Sequence, residues 1–214
     1  MKKISLLFVS VLLIASFFAI YKFTELKSSI NRFDNNAFQN GDIIFQTSLS
    51  SQSKAIQLAT KSKYSHCGII FKEGDNFYVY EAVEPVKQTK LKEWINNGEG
   101  QHYVVKRLKN ADIILTNEVL KKMKKIGISF KGKNYDRFFE WSDDKIYCSE
   151  LIWKIYKRAT GIEIGNLQKL GSFDLNNKIV KEKLKNRYGN NIPMNEFVIS
   201  PEAIFNSDQL ITVN

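Results

Sequence analysis

The most regular alternation of apolar and polar positions lies between residues 66 and 83. Two β-rich runs, His66–Lys72 and Phe77–Val83, flank Glu73-Gly74-Asp75-Asn76, a composition suited to a tight turn, so the segment predicts a hairpin. Upstream, Gly41-Asp42 opens the apolar run Ile43–Phe45, a first strand, and residues 52–62 predict a short helix with Ala55, Ile56 and Leu58 turned inward. Downstream, Leu91–Asn97 reads as a short helix stopped at Gly98, and His102–Leu108 as a further strand. Thr116 or Asn117 caps a helix running to about Lys131, with Leu120, Met123, Ile126 and Phe130 on one side. Ile146–Thr160 is the strongest helix: Leu151, Ile152, Ile155 and Ala159 share a face, Lys154, Lys157 and Arg158 crowd its last turn, and Gly161 ends it. Residues 162–192 are polar and rich in Asn and Lys, with a surface helix over Asn177–Arg187. Phe197–Ser200 predicts a last strand before the helical turn Pro201–Phe205. The pattern shows no internal repeat and no second domain.

At the N-terminus the periodicity disappears. Met1-Lys2-Lys3 is followed by an uncharged stretch, Ile4–Tyr21, closed by Lys22, which sits at the lower limit of a membrane-spanning helix. A cleaved signal peptide needs small residues at −3 and −1 of its cut site; cutting after Ala19 puts Phe17 at −3, and cutting after Ser16 puts Ile14 there. The expectation is therefore an uncleaved signal anchor over residues 1–22, with a cleaved signal as the alternative, then a polar tether over 23–40 and one domain over 41–214. Lys2 and Lys3 keep their end inside and send the domain out of the cytoplasm.

Composition then narrows the classes. With 43% hydrophobic residues, the 214-residue chain carries enough apolar material for one substantial core. Two cysteines rule out a disulfide-dense scaffold and a four-cysteine zinc site. Lys2, Lys3 and Lys22 are the only charges in residues 1–22, so 29 basic against 22 acidic residues, a net +7, remain in 23–214. That balance favours anionic partners such as a membrane surface. Nucleic acid is not expected, because the basic residues show no regular interleaving with aromatics and an exported domain rarely meets that ligand. No His-Glu-x-x-His, Cys-x-x-Cys, Gly-x-Ser-x-Gly or phosphate-loop pattern occurs, so no metal and no cofactor are expected.

The candidate chemistry centres on Cys148, at the start of the strongest helix. Unpaired backbone N–H groups and the positive end of the helix dipole favour a thiolate there and supply part of an oxyanion hole. A small buried apolar cysteine fits the same position equally well. A histidine partner must be His66 or His102. With a hairpin loop of two or four residues, positions summing to 149 face each other, so 68 opposes 81, and His66 and Glu81 share a face as diagonal neighbours about 7–8 Å apart. Gly68 then removes a side chain that would crowd the pair, and a carboxylate beside the imidazole orients it. His102 has no matched partner and reads as a surface histidine. Glu150 is accounted for by a pair with Lys154 at i,i+4, and Asp42 by a turn.

Gly41-Asp42-Ile43-Ile44-Phe45, Tyr64-Ser65-His66-Cys67-Gly68-Ile69-Ile70, Tyr80-Glu81-Ala82-Val83 and Tyr147-Cys148-Ser149-Glu150-Leu151 together resemble the YiiX/YebB-like cysteine hydrolases of the NlpC-like, circularly permuted papain-fold group, from about Gly41 to Leu210. The resemblance implies an α+β fold in which an antiparallel sheet packs against the helix bearing the nucleophile. It implies Cys148 as nucleophile, His66 as general base and Glu81 as the group that orients His66. Tyr64 and Tyr147 flank these positions; core packing is the default reading for both, and lining the substrate cleft is the alternative. The implied reaction is cleavage of an amide, in a peptide, a cell-wall peptide or an N-acyl compound, through a thioester. Alternatives are a lipid-directed acyl hydrolase or acyltransferase, with an apolar groove lined by Phe138, Phe139 and Trp141, and a non-catalytic envelope-binding module. Cys67 departs from the family pattern, where an aliphatic residue is expected. Strand alternation points it away from His66, which suits packing, and a Cys67–Cys148 disulfide would block the site.

Overall fold

The structure, a computed structural model, describes residues 38–213. The apolar stretch 4–21 and the tether to residue 37 lie outside the described residues. Among the described residues no helix is long and apolar enough to cross a membrane.

Six strands form one antiparallel sheet: β1 (Ile43–Ser48), β2 (His66–Glu73), β3 (Asn76–Glu81), β4 (Lys87–Lys90), β5 (Gly98–Leu108) and β8 (Leu210–Thr212), in the order β4-β3-β2-β1-β5-β8. The β2–β3 register runs from Ile69 opposite Tyr80 to Glu73 opposite Asn76. Gly74 and Asp75 are therefore a two-residue loop, and facing positions sum to 149 as the hairpin reading requires. Gly74 takes φ +59°, the left-handed turn conformation that glycine adopts without steric cost.

Both faces of the central strands are covered, which is why β1 and β2 read as nearly unbroken apolar runs. On one face Ile43, Phe45, Cys67, Ile69 and Phe71 pack against Leu151, Ile152 and Ile155 of α5 (Cys148–Thr160), and α4 (Asn117–Phe130) lies beside that helix. Gly127 lets α4 approach β3: a Cβ there would stand 2.8 Å from a ring carbon of Tyr80. On the opposite face, residues 66, 68, 79 and 81 point toward α2 (Leu91–Asn96), whose Trp94 is fully buried. The remaining helices are α1 (Ser53–Thr60), α3 (Ala111–Ile114), α6 (Lys178–Tyr188) and α7 (Pro201–Phe205), and β6 (Gln168–Lys169) pairs with β7 (Phe197–Val198).

The observed elements correct the sequence reading in specific places. The strong helix begins at Cys148 rather than Ile146, because Ile146 bridges to Tyr135 and Tyr147 takes an extended cap conformation. β4, a Lys-Gln-Thr-Lys segment with no apolar signal, forms an edge strand because Thr89 alone turns inward while Lys87 and Lys90 stay exposed. β8 closes the other edge on three residues. Asp42 does accept from the Gln39 N–H in its turn, at 2.8 Å, but it also forms a buried bidentate pair with Arg107 (2.7 and 2.8 Å) that joins the start of β1 to β5.

Gly68 gives a direct test of the hairpin packing. A Cβ on it would lie 2.3 Å from Val79 Cγ1 and 2.9 Å from the Tyr80 carbonyl oxygen. Gly68→Ala is expected to lower stability by about 1–3 kcal/mol, read as a lower urea midpoint. Val79→Ala in the same chain should recover part of that loss.

Candidate active site

Glu81, the last residue of β3, is buried with its charge fully answered. Its Oε2 contacts His66 Nε2 at 2.6 Å and accepts from Trp94 Nε1 at 2.9 Å, while Oε1 accepts from the Thr89 hydroxyl at 2.5 Å. Burial pushes its carboxyl up, but the hydrogen bonds from His66 and Thr89 outweigh that and hold it below the ordinary value. The Trp94 ring lies 5.7 Å from the imidazole and nearly parallel to it, so the histidine is clamped at its edge and on its face. Ser65, just before it, is tied to α1 by a 2.6 Å hydroxyl contact with Ser53.

Cys148 and the His66 imidazole come from opposite sides of the sheet. Cys148 is the first residue of α5, on the Ile69 face, whereas His66 points to the Trp94 face. They meet because His66 is the first residue of β2, so its ring stands at the sheet's end, where α5 begins. With Nε2 held by Glu81, Nδ1 is the ring nitrogen left for Cys148. Burial opposes a charge on His66, but hydrogen bonds to Cys148 and Glu81 dominate and raise it to about 10. Contact with Cys67 lowers the Cys148 thiol well below its ordinary value against the cost of burial, and His66 adds to the effect. Both shifts favour a thiolate beside an imidazolium.

Cys67 does point away from the Trp94 face, but that direction brings it to Cys148. Its thiol and backbone N–H both hydrogen-bond the Cys148 sulphur, and burial raises its own thiol well above the ordinary range. Both cysteines are free. Sequence alternation gave the direction of Cys67 but not what lay there.

Two cavities meet at this pair. A small apolar one, about 100 Å³, is lined by Cys148, Tyr147, Phe139, Ile199, Leu184 and Val180 among others. A larger cleft of about 700 Å³ is lined by His66, Glu84, Tyr135, Arg137, Lys183 and Arg187 with several hydroxyls. Gln52, Tyr135, Lys183 and Arg187 border both. Tyr147 thus lines the apolar cavity, its hydroxyl accepting from Ile199 N–H at 3.0 Å, whereas Tyr64 packs on Phe205 (centroids 4.5 Å apart) and lines neither. Of the three aromatics expected in a groove, Phe139 lines the apolar cavity, Phe138 lines the cleft, and Trp141 packs on Trp153. His102 is exposed on β5.

Four residues in or behind the site carried no sequence signal: Trp94, Thr89, Tyr135 and Gln52. The Tyr135 hydroxyl accepts from Gln52 Nε2 at 3.0 Å, which leaves its own proton for another acceptor. Burial keeps that phenol protonated, and the charge on Cys148 reinforces the effect. Glu150 is fully buried. It accepts from the Tyr147 N–H at 3.4 Å, pairs with buried Lys154 at 2.7 Å, and burial raises it to about 8.

Residues 37–214 match the family described as "Permuted papain-like amidase enzyme, YaeF/YiiX, C92 family". The uncharacterized protein YiiX of Escherichia coli K12 is 51% identical over 175 residues, covering 82% of this chain and 85% of that one. A crystal structure from E. coli O157:H7, described as metalloprotein yiiX, DUF1105, superposes with a TM-score of 0.79 at 52% identity, covering 82% of this chain and 96% of that one. Among the described residues here, no group of three or more His, Cys, Asp or Glu side chains is arranged to hold a metal ion.

The opposed shifts of Cys148 and His66 predict an unusual alkylation profile. Because Cys148 is lowered and His66 raised, thiolate is present well below an ordinary thiol pKa. The rate of Cys148 alkylation by iodoacetamide, followed by peptide-resolved mass spectrometry, should stay nearly flat from about pH 6 to about pH 9. His66→Ala removes one of the two stabilising partners and leaves Cys67, so the rate should begin to climb with pH while its midpoint stays below about 8.5.

Proposed function

The chain belongs to the permuted papain-like amidases of the YaeF/YiiX, C92 family, and from that membership we propose an extracytoplasmic cysteine hydrolase that cleaves an amide through a thioester formed on Cys148. The carrying observation is the Cys148–His66–Glu81 alignment, with Glu81 held by Thr89 and Trp94. Cys148 Sγ attacks the carbonyl carbon, and the carbonyl π electrons move onto oxygen. The Cys148 N–H, which lies in the first turn of α5 where backbone donors have no intrahelical partner, and the Tyr135 hydroxyl are the donors for that oxyanion. His66 gives its proton to the nitrogen as the C–N bond breaks, releasing the amine. It then takes a proton from water, which attacks the thioester and frees the acid and the thiolate. Glu81 touches neither substrate nor sulphur; it is a positioning residue that fixes the imidazole and stabilises its charge.

The size of the apolar cavity separates the substrate readings. A dry cavity of ~150 Å³ accommodates benzene, so about 100 Å³ suits an amino-acid side chain or a short acyl group rather than a whole lipid tail. This supports a peptide or short N-acyl amide over a lipid-directed acyl hydrolase. Export and tethering rest on the Ile4–Tyr21 run with Lys2 and Lys3 before it, and the basic balance suits an anionic membrane surface as neighbour. The described residues do not fit a metal, and no step above passes through one.

Hydrolysis of a library of N-acyl dipeptides is the direct test. Cys148→Ala should reduce turnover at least about 1000-fold and Glu81→Gln about 100-fold, with the Glu81→Gln chain also losing its flat alkylation profile. Activity surviving Cys148→Ala overturns the reading in favour of a binding module. Turnover should also fall above about pH 10, where His66 loses the proton it must give to the amine.

A further inference from the structure

The two cavities divide the reacting pair between them. Cys148 lines the apolar cavity and not the cleft; His66 lines the cleft and not the apolar cavity. The nitrogen that leaves must receive its proton from the imidazole, so the amine half of a bound amide lies on the cleft side and the acyl half on the apolar side. The cleft is where positive charge accumulates. Arg137, Lys183 and Arg187 line it, and among the described residues lining it Glu84 is the one with a carboxylate side chain. Among the described residues none of these three cations has a carboxylate within 4.0 Å. Two of them are already oriented by neutral groups: Arg187 donates to Gln52 Oε1 at 3.1 Å with its guanidinium 4.4 Å from the Phe139 ring centre, and Lys183 Nζ stands 3.5 Å from the Ser51 hydroxyl. Ser48 and Ser50 add hydroxyls to the same wall.

Cations held by rings and hydroxyls, without ion pairs, retain their full attraction for an incoming anion, and a low-dielectric cleft focuses it. Arginine forks match the two oxygens of a carboxylate. We propose that this cleft is an anion subsite that takes a carboxylate carried by the amine half of the substrate. The proposal deepens the amidase reading and rests on its assignment of Cys148 and His66. The substrate class is then an amide with a small apolar acyl side whose leaving amine bears an acid, such as an amino acid with a free carboxylate.

A pair of alkylating reagents that differ in charge reads the subsite without knowledge of the substrate. Rates of Cys148 modification by anionic iodoacetate and neutral iodoacetamide are measured in the full-length chain, and their ratio is divided by the same ratio for glutathione. The ratio is expected to exceed that of glutathione by about tenfold or more, and Arg137→Gln with Lys183→Gln should lower it about tenfold. His66 is present in both proteins, so its own pull on iodoacetate cancels, as does any change common to both reagents. A ratio within twofold of the parent in the double variant overturns the subsite. Slow alkylation by both reagents with a ratio that still responds removes the nucleophile and keeps the anion site; fast alkylation with an unresponsive ratio does the reverse. N-acetylglycine and N-acetyl-aminomethylphosphonate, compared as competitors of iodoacetate, separate the anion types: protection at lower concentration by the carboxylate is expected, and the opposite order overturns the carboxylate assignment.

Discussion

A carboxylate buried in this sheet must be fully hydrogen-bonded or it cannot stay ionised, and Glu81 meets that demand with three donors from three different elements. His66 comes from β2, Thr89 from the edge strand β4 and Trp94 from α2. Each donor also fixes its own element. Thr89 is the reason a Lys-Gln-Thr-Lys segment joins the sheet, and Trp94 seats α2 against the face that His66 occupies. The cost of desolvating one acid thus organises one side of the sheet, and the imidazole that results is held by its edge and one face.

Much of this was legible because the hairpin is local. With a two-residue loop, parity alone places Gly68 opposite Glu81 and His66 diagonally from it. The capping signals of α4 and α5 were similarly plain, since Thr116 accepts from the Val119 N–H and Gly161 ends α5 in the left-handed conformation. What the sequence could not display were contacts between distant segments that carry no pattern. Gln52, Tyr135 and Arg187 come from three loops or helices and meet only in the fold. A short edge strand such as β8 has three residues and no alternation to read.

Alternation also has a limit that Cys67 exposes. It tells which face a side chain takes, not whether a functional group waits there. Cys67 was assigned to packing because it faces away from His66, and it is indeed fully buried. Yet Cys148 arrives from that same side, so a position suited to an aliphatic residue instead contributes a thiol and a backbone N–H to its sulphur. Glu150 makes a comparable point: an i,i+4 pair that looks like ordinary surface charge is a buried anchor for the residue that precedes the nucleophile.

Cys148 and His66 are held from opposite faces of the sheet and meet only at its end. Cys148 is seated by the layer of Leu151, Ile152 and Ile155, and His66 by the layer of Trp94 and Glu81, so their separation is set by two hydrophobic cores packed independently of each other. A change of one methyl group in either core displaces one partner and leaves the other in place. Misalignment of a few tenths of an ångström can therefore accumulate while every strand and helix remains formed. In such an architecture chemical competence is a finer gauge of packing than foldedness, and the chain can lose the first long before the second.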